Sequence, residues 1–162
     1  MLYRTLHVQL LLTDYIHSVC YAAMKPPPAP ITHVALTVRD LGRSVAWYTK
    51  LFGEPPSFEG EFLRGTENHY TVAIWRMPNL GLHCFTDVKP ESFSARRVGL
   101  DHLALTCGSD DDMQAWVEHL DRLSVPHGGV LHEPYGSGLS FVDPDGIALE
   151  IFLAAKDRTA VA

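Results

Sequence analysis

Three histidines and one glutamate carry the chemistry that this sequence offers. His33 and His102 stand at one pair of matching places in an internal repeat, and His83 and Glu150 stand at another. Glu150 interrupts the apolar run of residues 147–152, and a carboxylate in such a run is costly to bury without a partner. Three imidazoles and a carboxylate form a borderline N/O donor set suited to Zn²⁺, Ni²⁺, Co²⁺, Fe²⁺ or Mn²⁺, and the sequence does not choose among them. Taken singly, each residue has an ordinary explanation as a satisfied core histidine or a Glu–His pair. Taken jointly, they read as ligands of a divalent metal ion: His33, His83, His102 and Glu150. Because an imidazole ligates only when neutral, occupancy should fall as the pH drops through its titration.

The elements that would position these residues follow from the repeat. Residues 31–51 lie on residues 100–120 at a constant offset of 69, which brings Ala35-Leu36-Thr37 onto Ala104-Leu105-Thr106 and Ala46-Trp47 onto Ala115-Trp116. Towards the end of each copy the offset becomes 67, so that residues 79–85 lie on 146–152 and His83 falls on Glu150. Each copy opens as a strand and then a helix. Asp40 and Ser109 are the expected N-caps. Leu41, Val45, Tyr48 and Phe52 form the first apolar stripe, and Met113, Trp116 or Val117, and Leu120 the second. Gly53 is the expected stop of the first helix, and Asp110 to Asp112 complement the dipole of the second. Two further strands fit before the last one in each copy, over 58–64 and 70–77 and over 130–133 and 139–142.

The predicted fold is therefore α+β: two βαβββ modules paired about a pseudo-twofold axis into a curved, partly open, barrel-like sheet with helices outside. Alternation along the strands puts the small residues Ala35, Gly81, Ala104 and Ala148 on the same faces as the four donors. The opposite faces carry Val34, Leu36, Leu82, Cys84, Leu103, Leu105, Leu149 and Ile151. One face packs helices, and the other is hollowed around polar side chains as a ligand cavity requires.

The boundaries expected are a tail and Pro-rich linker over 1–30, modules over 31–90 and 100–153, a linker over 91–99, and a C-terminal tail over 154–162. Met24, just before Lys25-Pro26-Pro27-Pro28, is an alternative start. The apolar residues near Leu10 are interrupted by Asp14 and too few to cross a bilayer. A net charge of −6 in 162 residues gives no footprint for nucleic acid or an anionic membrane surface. Cys20, Cys84 and Cys107, odd in number and without a C-x-x-C pair, read as reduced thiols of a cytoplasmic protein.

Thr32 to Asp40 with Ser44 to Tyr48 and Leu51-Phe52-Gly53, Asp101 to Leu105, and Asp143-Pro144-Asp145-Gly146 leading to Leu149-Glu150-Ile151 together resemble the vicinal oxygen chelate superfamily of glyoxalases, bleomycin-resistance proteins and extradiol dioxygenases. The resemblance covers about residues 31–153. It implies paired modules around a divalent metal that chelates two adjacent oxygens of a small substrate, with His33, His102 and Glu150 as ligands, and it implies a homodimer. His83 departs from the Glu or Gln that glyoxalase-type members place there. By resemblance to extradiol dioxygenases, His83 becomes a fourth ligand or an acid/base, and His132 a second catalytic residue near the cavity mouth. Ser140 stands where those enzymes often hold tyrosine.

Two classes of function follow from this reading. One is a metalloenzyme, either a glyoxalase-like lyase or isomerase or a ring-cleaving dioxygenase. The other is a non-catalytic binding protein of the bleomycin-resistance type, holding a planar ligand against Trp75 and Phe85. Tyr135-Gly136-Ser137-Gly138 is expected as a mobile loop over the cavity, with an ordinary hairpin turn as the alternative. Arg96-Arg97 is either a carboxylate clamp or solvated linker, and His69, His119 and His127 belong to the surface or to loops.

Overall fold

A computed structural model describes residues 28–155, and the expectations for residues 1–27 and 156–162 lie outside them. The elements run β1 (Val34–Thr37), α1 (Leu41–Phe52), β2 (Phe58–Phe62), β3 (Tyr70–Trp75) and β4 (Leu80–Phe85). The second set is β5 (Leu103–Thr106), α2 (Asp110–Arg122), β6 (His127–Glu133), β7 (Gly136–Val142) and β8 (Ala148–Ala154). This is βαβββ twice, an α+β fold as the repeat predicts. The strands form two separate four-stranded sheets, ordered β1-β4-β3-β2 and β5-β8-β7-β6, and are not closed into a barrel. In each module the first and last strands pair in parallel and the others antiparallel, leaving β1 and β5 at sheet edges.

The helices begin and end where their capping residues dictate. Asp40 accepts a hydrogen bond from the Arg43 N–H at 2.9 Å, and Gly53 closes α1 in the left-handed region at φ 73°. Ser109 accepts from the Asp112 N–H at 3.1 Å, and Asp110 to Asp112 occupy the positive end of α2.

Both helices pack on the apolar sheet faces, and the two modules share one core. Leu36, Tyr48, Leu51, Leu80 and Leu82 from the first join Met113, Leu120, Leu139, Leu149 and Ile151 from the second. Each such side chain contributes about 1.5–3 kcal/mol by leaving water. The expected core faces are all confirmed, since Val34, Cys84, Leu103 and Leu105 also pack against this cluster.

Among the described residues no helix is long and apolar enough to cross a membrane. The expected loop at residues 135–138 is mostly strand. Gly136 opens β7 and Gly138 lies within it, leaving Pro134 and Tyr135 as the hairpin turn.

Candidate metal centre

Opposite the core, each sheet has an open face, and the four donors stand on these faces. On the first module Ala35 and Thr37 share it with Gly81, His83, Phe85, Tyr70 and Ile74 through the register of β1, β4 and β3. His33 precedes β1 in the same alternation and is exposed. On the second module Ala104, Thr106, Ala148, Glu150, Phe152, Ser140 and Gly138 share the corresponding face, with His102 preceding β5. The covered faces are set by period-2 alternation of Leu, Ile and Val, which leaves the polar and small residues no other side.

The two first-strand histidines are oriented in the same way. Thr32 Oγ1 lies 3.1 Å from His33 Nδ1, and Asp101 Oδ2 lies 3.0 Å from His102 Nδ1. In each case the residue just before the histidine occupies Nδ1, which leaves Nε2 to face a ligand, the arrangement that fixes a metal-binding imidazole. These two orienting residues occupy repeat-equivalent places, Thr32 and Asp101, and the repeat alone could have singled them out.

In the second module His102 Nε2 is 3.5 Å from Glu150 Oε2. That is long for a charge-assisted hydrogen bond, which runs about 2.7–2.9 Å. It suits two donors that share a tetrahedral ion, whose bonds of about 2.1 Å set a donor–donor spacing of about 3.4 Å. This pair therefore fits a metal by both its chemistry and its spacing.

The first module differs in register. Ala35 pairs with Gly81 and Ala104 pairs with Glu150, so His83 stands two residues farther along β4 than Glu150 stands along β8. The imidazole recovers part of that step by leaning back over Gly81, where an added Cβ would lie 3.7 Å from His83 Nε2. Burial lowers the His83 pKa, and the charge of nearby His33 lowers it further, both favouring the neutral form that can act as ligand or base. Tyr70 stacks on its ring at 4.8 Å with 19° between planes, and Tyr70 is flanked by Phe62 and Phe85 at 5.5 and 5.3 Å.

The four predicted ligands thus divide between the modules: His102 and Glu150 lie within 3.5 Å of each other, and His33 is near enough to His83 for its charge to act on it. Among the described residues no three His, Cys, Asp or Glu side chains come close enough to hold one ion together. His132 alternates onto the face opposite Glu150: its partner Ser137 pairs with Leu153 rather than with Glu150 or Phe152, and His132 Nδ1 lies 2.9 Å from Ser137 Oγ.

Trp75 is 1% exposed and donates from Nε1 to the Glu54 carbonyl at 3.0 Å, so it belongs to the core and not to a ligand wall. Phe85 does lie on the open face. Arg97 lines a cavity of about 390 Å³ beside β1 with Thr37 and Lys89, and its guanidinium is paired with Glu91 of the same linker. His119 joins the modules, its Nε2 lying 3.0 Å from the Leu51 carbonyl oxygen at the end of α1.

The Asp-Pro-Asp-Gly turn that feeds β8 does more than turn the chain. Asp145 receives the Arg39 N–H at 2.7 Å, Arg39 Nε at 2.8 Å and the Arg43 guanidinium. Asp143 receives the N–H groups of Asp145 and Ile147 at 2.8 Å each and the Tyr48 hydroxyl at 3.2 Å. Two adjacent carboxylates therefore tie the start of the Glu150 strand to the first module. These partners could not be read from local sequence, because they lie across the module seam.

Comparison with known proteins agrees with this architecture. A glyoxylase/bleomycin resistance protein/dioxygenase domain from Frankia sp. EAN1pec is 28% identical, covering 80% of this chain and all of its own, with a TM-score of 0.63. A glyoxalase family protein from Enterococcus faecalis is 20% identical over 76% of this chain and 96% of its own, with a TM-score of 0.59. A mutant of the fosfomycin resistance protein FosX from Listeria monocytogenes, complexed with Mn(II) and dihydroxypropylphosphonic acid, is 13% identical over 80% and 96%, with a TM-score of 0.56. No curated protein matches the chain in sequence. The two βαβββ modules and a family match over residues 30–151 together place the chain in the Glyoxalase/Bleomycin resistance protein/Dioxygenase superfamily.

Proposed function

We propose that this protein is a divalent-metal-dependent enzyme acting on a small substrate with vicinal oxygens, and that its centre is assembled from the two donor pairs of different chains in a homodimer. The observation that carries the proposal is the His102–Glu150 pair, spaced at 3.5 Å with Asp101 holding the imidazole. The dimer is supported by three features of one chain. Among the described residues each donor pair is incomplete, His33, His102, Ala35 and Ala104 are exposed, and β1 and β5 are sheet edges free to lie against one another.

A bound ion would supply Lewis acidity toward two adjacent oxygens. The chain supplies the rest. Asp101 and Thr32 orient the imidazoles of His102 and His33, and His83, whose burial favours the neutral form, accepts a proton or completes the ligand set. Tyr70, stacked on the ring, covers one face of His83. The glyoxalase-like and ring-cleaving forms of the reaction remain the two versions of this proposal, and His83 separates them as ligand or as base.

A second reading, non-catalytic capture of a planar ligand, draws support from the stacked aromatic side chains on the first open face. Elemental analysis of protein purified without a chelating tag, together with sedimentation equilibrium, tests the first reading. The expected result is a dimer carrying about one transition-metal ion per site. A monomer that takes up no Zn²⁺, Ni²⁺, Mn²⁺ or Fe²⁺ overturns it and leaves the binding-protein reading.

A further inference from the structure

On each open face, one position lies diagonal to the last-strand donor on the neighbouring strand, and its residue differs between the modules in a way that matches the donor. In the first module this position is Tyr70, which pairs with Phe85, one same-face step beyond His83. In the second it is Gly138, which pairs with Phe152, one same-face step beyond Glu150. Tyr70 covers the His83 imidazole face to face at 4.8 Å. Gly138 presents bare backbone, and the Glu150 carboxylate lies across it: a Cβ at residue 138 would overlap Oε1 and stand 3.2 Å from Cδ.

The two choices are not interchangeable. A side chain at 138 takes the space of the Glu150 carboxylate, and loss of the ring at 70 frees the imidazole to turn about its last side-chain torsion, which has a broad energy profile. We infer that Tyr70 and Gly138 are positioning residues, Tyr70 by fixing the plane of the His83 ring and Gly138 by leaving the carboxylate of Glu150 a floor from which it reaches His102. Their consequence for metal affinity rests on the metal reading above, whereas their effect on side-chain geometry stands without it.

The test uses the full chain and three variants: Gly138→Ala, Tyr70→Leu and Tyr70→Phe. Gly138 does not have a positive φ, and the atoms nearest an added methyl group are those of the Glu150 side chain, so the alanine variant is expected to fold with an unchanged melting temperature. Crystal structures of the metal-free proteins should show Glu150 displaced beyond about 4 Å, out of ion-pair reach of His102, in Gly138→Ala. The His83 ring should be reoriented in Tyr70→Leu and restored in Tyr70→Phe. Co²⁺ titration followed by absorbance should show affinity lowered about 10–100-fold in Gly138→Ala and Tyr70→Leu, with Tyr70→Phe as wild type. An unmoved Glu150 or His83 overturns the inference, and so does an unchanged Co²⁺ affinity in these variants. A wild type that binds no Co²⁺ defeats the metal reading alone, and the metal-free structures then decide the positioning roles.

Discussion

Arg39 and Asp145, 106 residues apart in sequence, meet through two hydrogen bonds, from the Arg39 backbone N–H at 2.7 Å and from its Nε at 2.8 Å. Asp145 is 6% exposed, and Arg43 adds a second guanidinium. This contact locks the turn before β8 to the segment between β1 and α1, so each module's donor-bearing strands are held by the other module.

Replacing Asp145 with asparagine keeps the size but removes the charge that two guanidinium groups share. The expected loss is about 1–3 kcal/mol, moderated because both arginines are partly solvated. A urea midpoint lowered at constant slope would record it, and an unchanged midpoint would show that the seam is held by apolar packing alone.

The same seam sets the pH dependence of stability. Burial by itself would raise the Asp145 pKa, but the Arg39 N–H, the Arg39 side chain and the charge of Arg43 outweigh it and hold the carboxyl below its ordinary value. Its contribution is therefore complete above the usual carboxylate range, near pH 4, and is lost as the pH falls through the depressed value. Asp143 is pushed up, chiefly by burial, so it contributes in the opposite sense: favourable below its ordinary pKa and lost as the pH rises through the raised one. Urea midpoints measured from pH 7 to pH 3 should fall less steeply in Asp145→Asn than in wild type and more steeply in Asp143→Asn.

Tyr48 adds an alkaline limb. Burial and then the charge of Asp143 raise its pKa far above the usual value, so the folded state keeps the phenol protonated. Stability present below about pH 10 should be lost as the unfolded chain's tyrosine ionises, and Tyr48→Phe should lessen the loss.

Trp75→Ala should cost about 3–5 kcal/mol by opening a cavity in the shared core. Metal uptake per folded molecule, measured by titration below the melting temperature, should be unchanged. A selective loss of ligand binding in a stable Trp75→Phe protein would return this residue to the site.

If the two donor pairs combine across chains, complementation follows. A His33→Ala/His83→Ala protein and a Glu150→Ala protein should each be deficient in metal binding alone. After unfolding and refolding together they should regain up to one intact site per mixed dimer. Binding that does not return on mixing would show that the pairs meet within one chain.

Much of this protein was legible in its sequence for a local reason. Alternation with a period of two assigns each strand residue to a face from its neighbours alone, so the separation of His33, His83, His102 and Glu150 from the leucine-rich faces was determined before any folding. The caps Asp40 and Ser109, and the βαβββ repeat itself, were equally local, and the family followed from them.

What the tertiary structure decided depends on distances between segments. Strand register follows from loop geometry and packing, and it set His83 two residues beyond the place that the repeat assigned to it. It also brought Tyr70 onto His83 and Gly138 beneath Glu150. The strands formed two four-stranded sheets whose helix-bearing faces pack into a common core. That arrangement buries Trp75, engages Asp143 and Asp145 across the seam, and leaves the two donor pairs on separate open faces. No residue's own type or immediate neighbours could have revealed it, because each of these relationships joins positions whose spacing only the packed chain fixes.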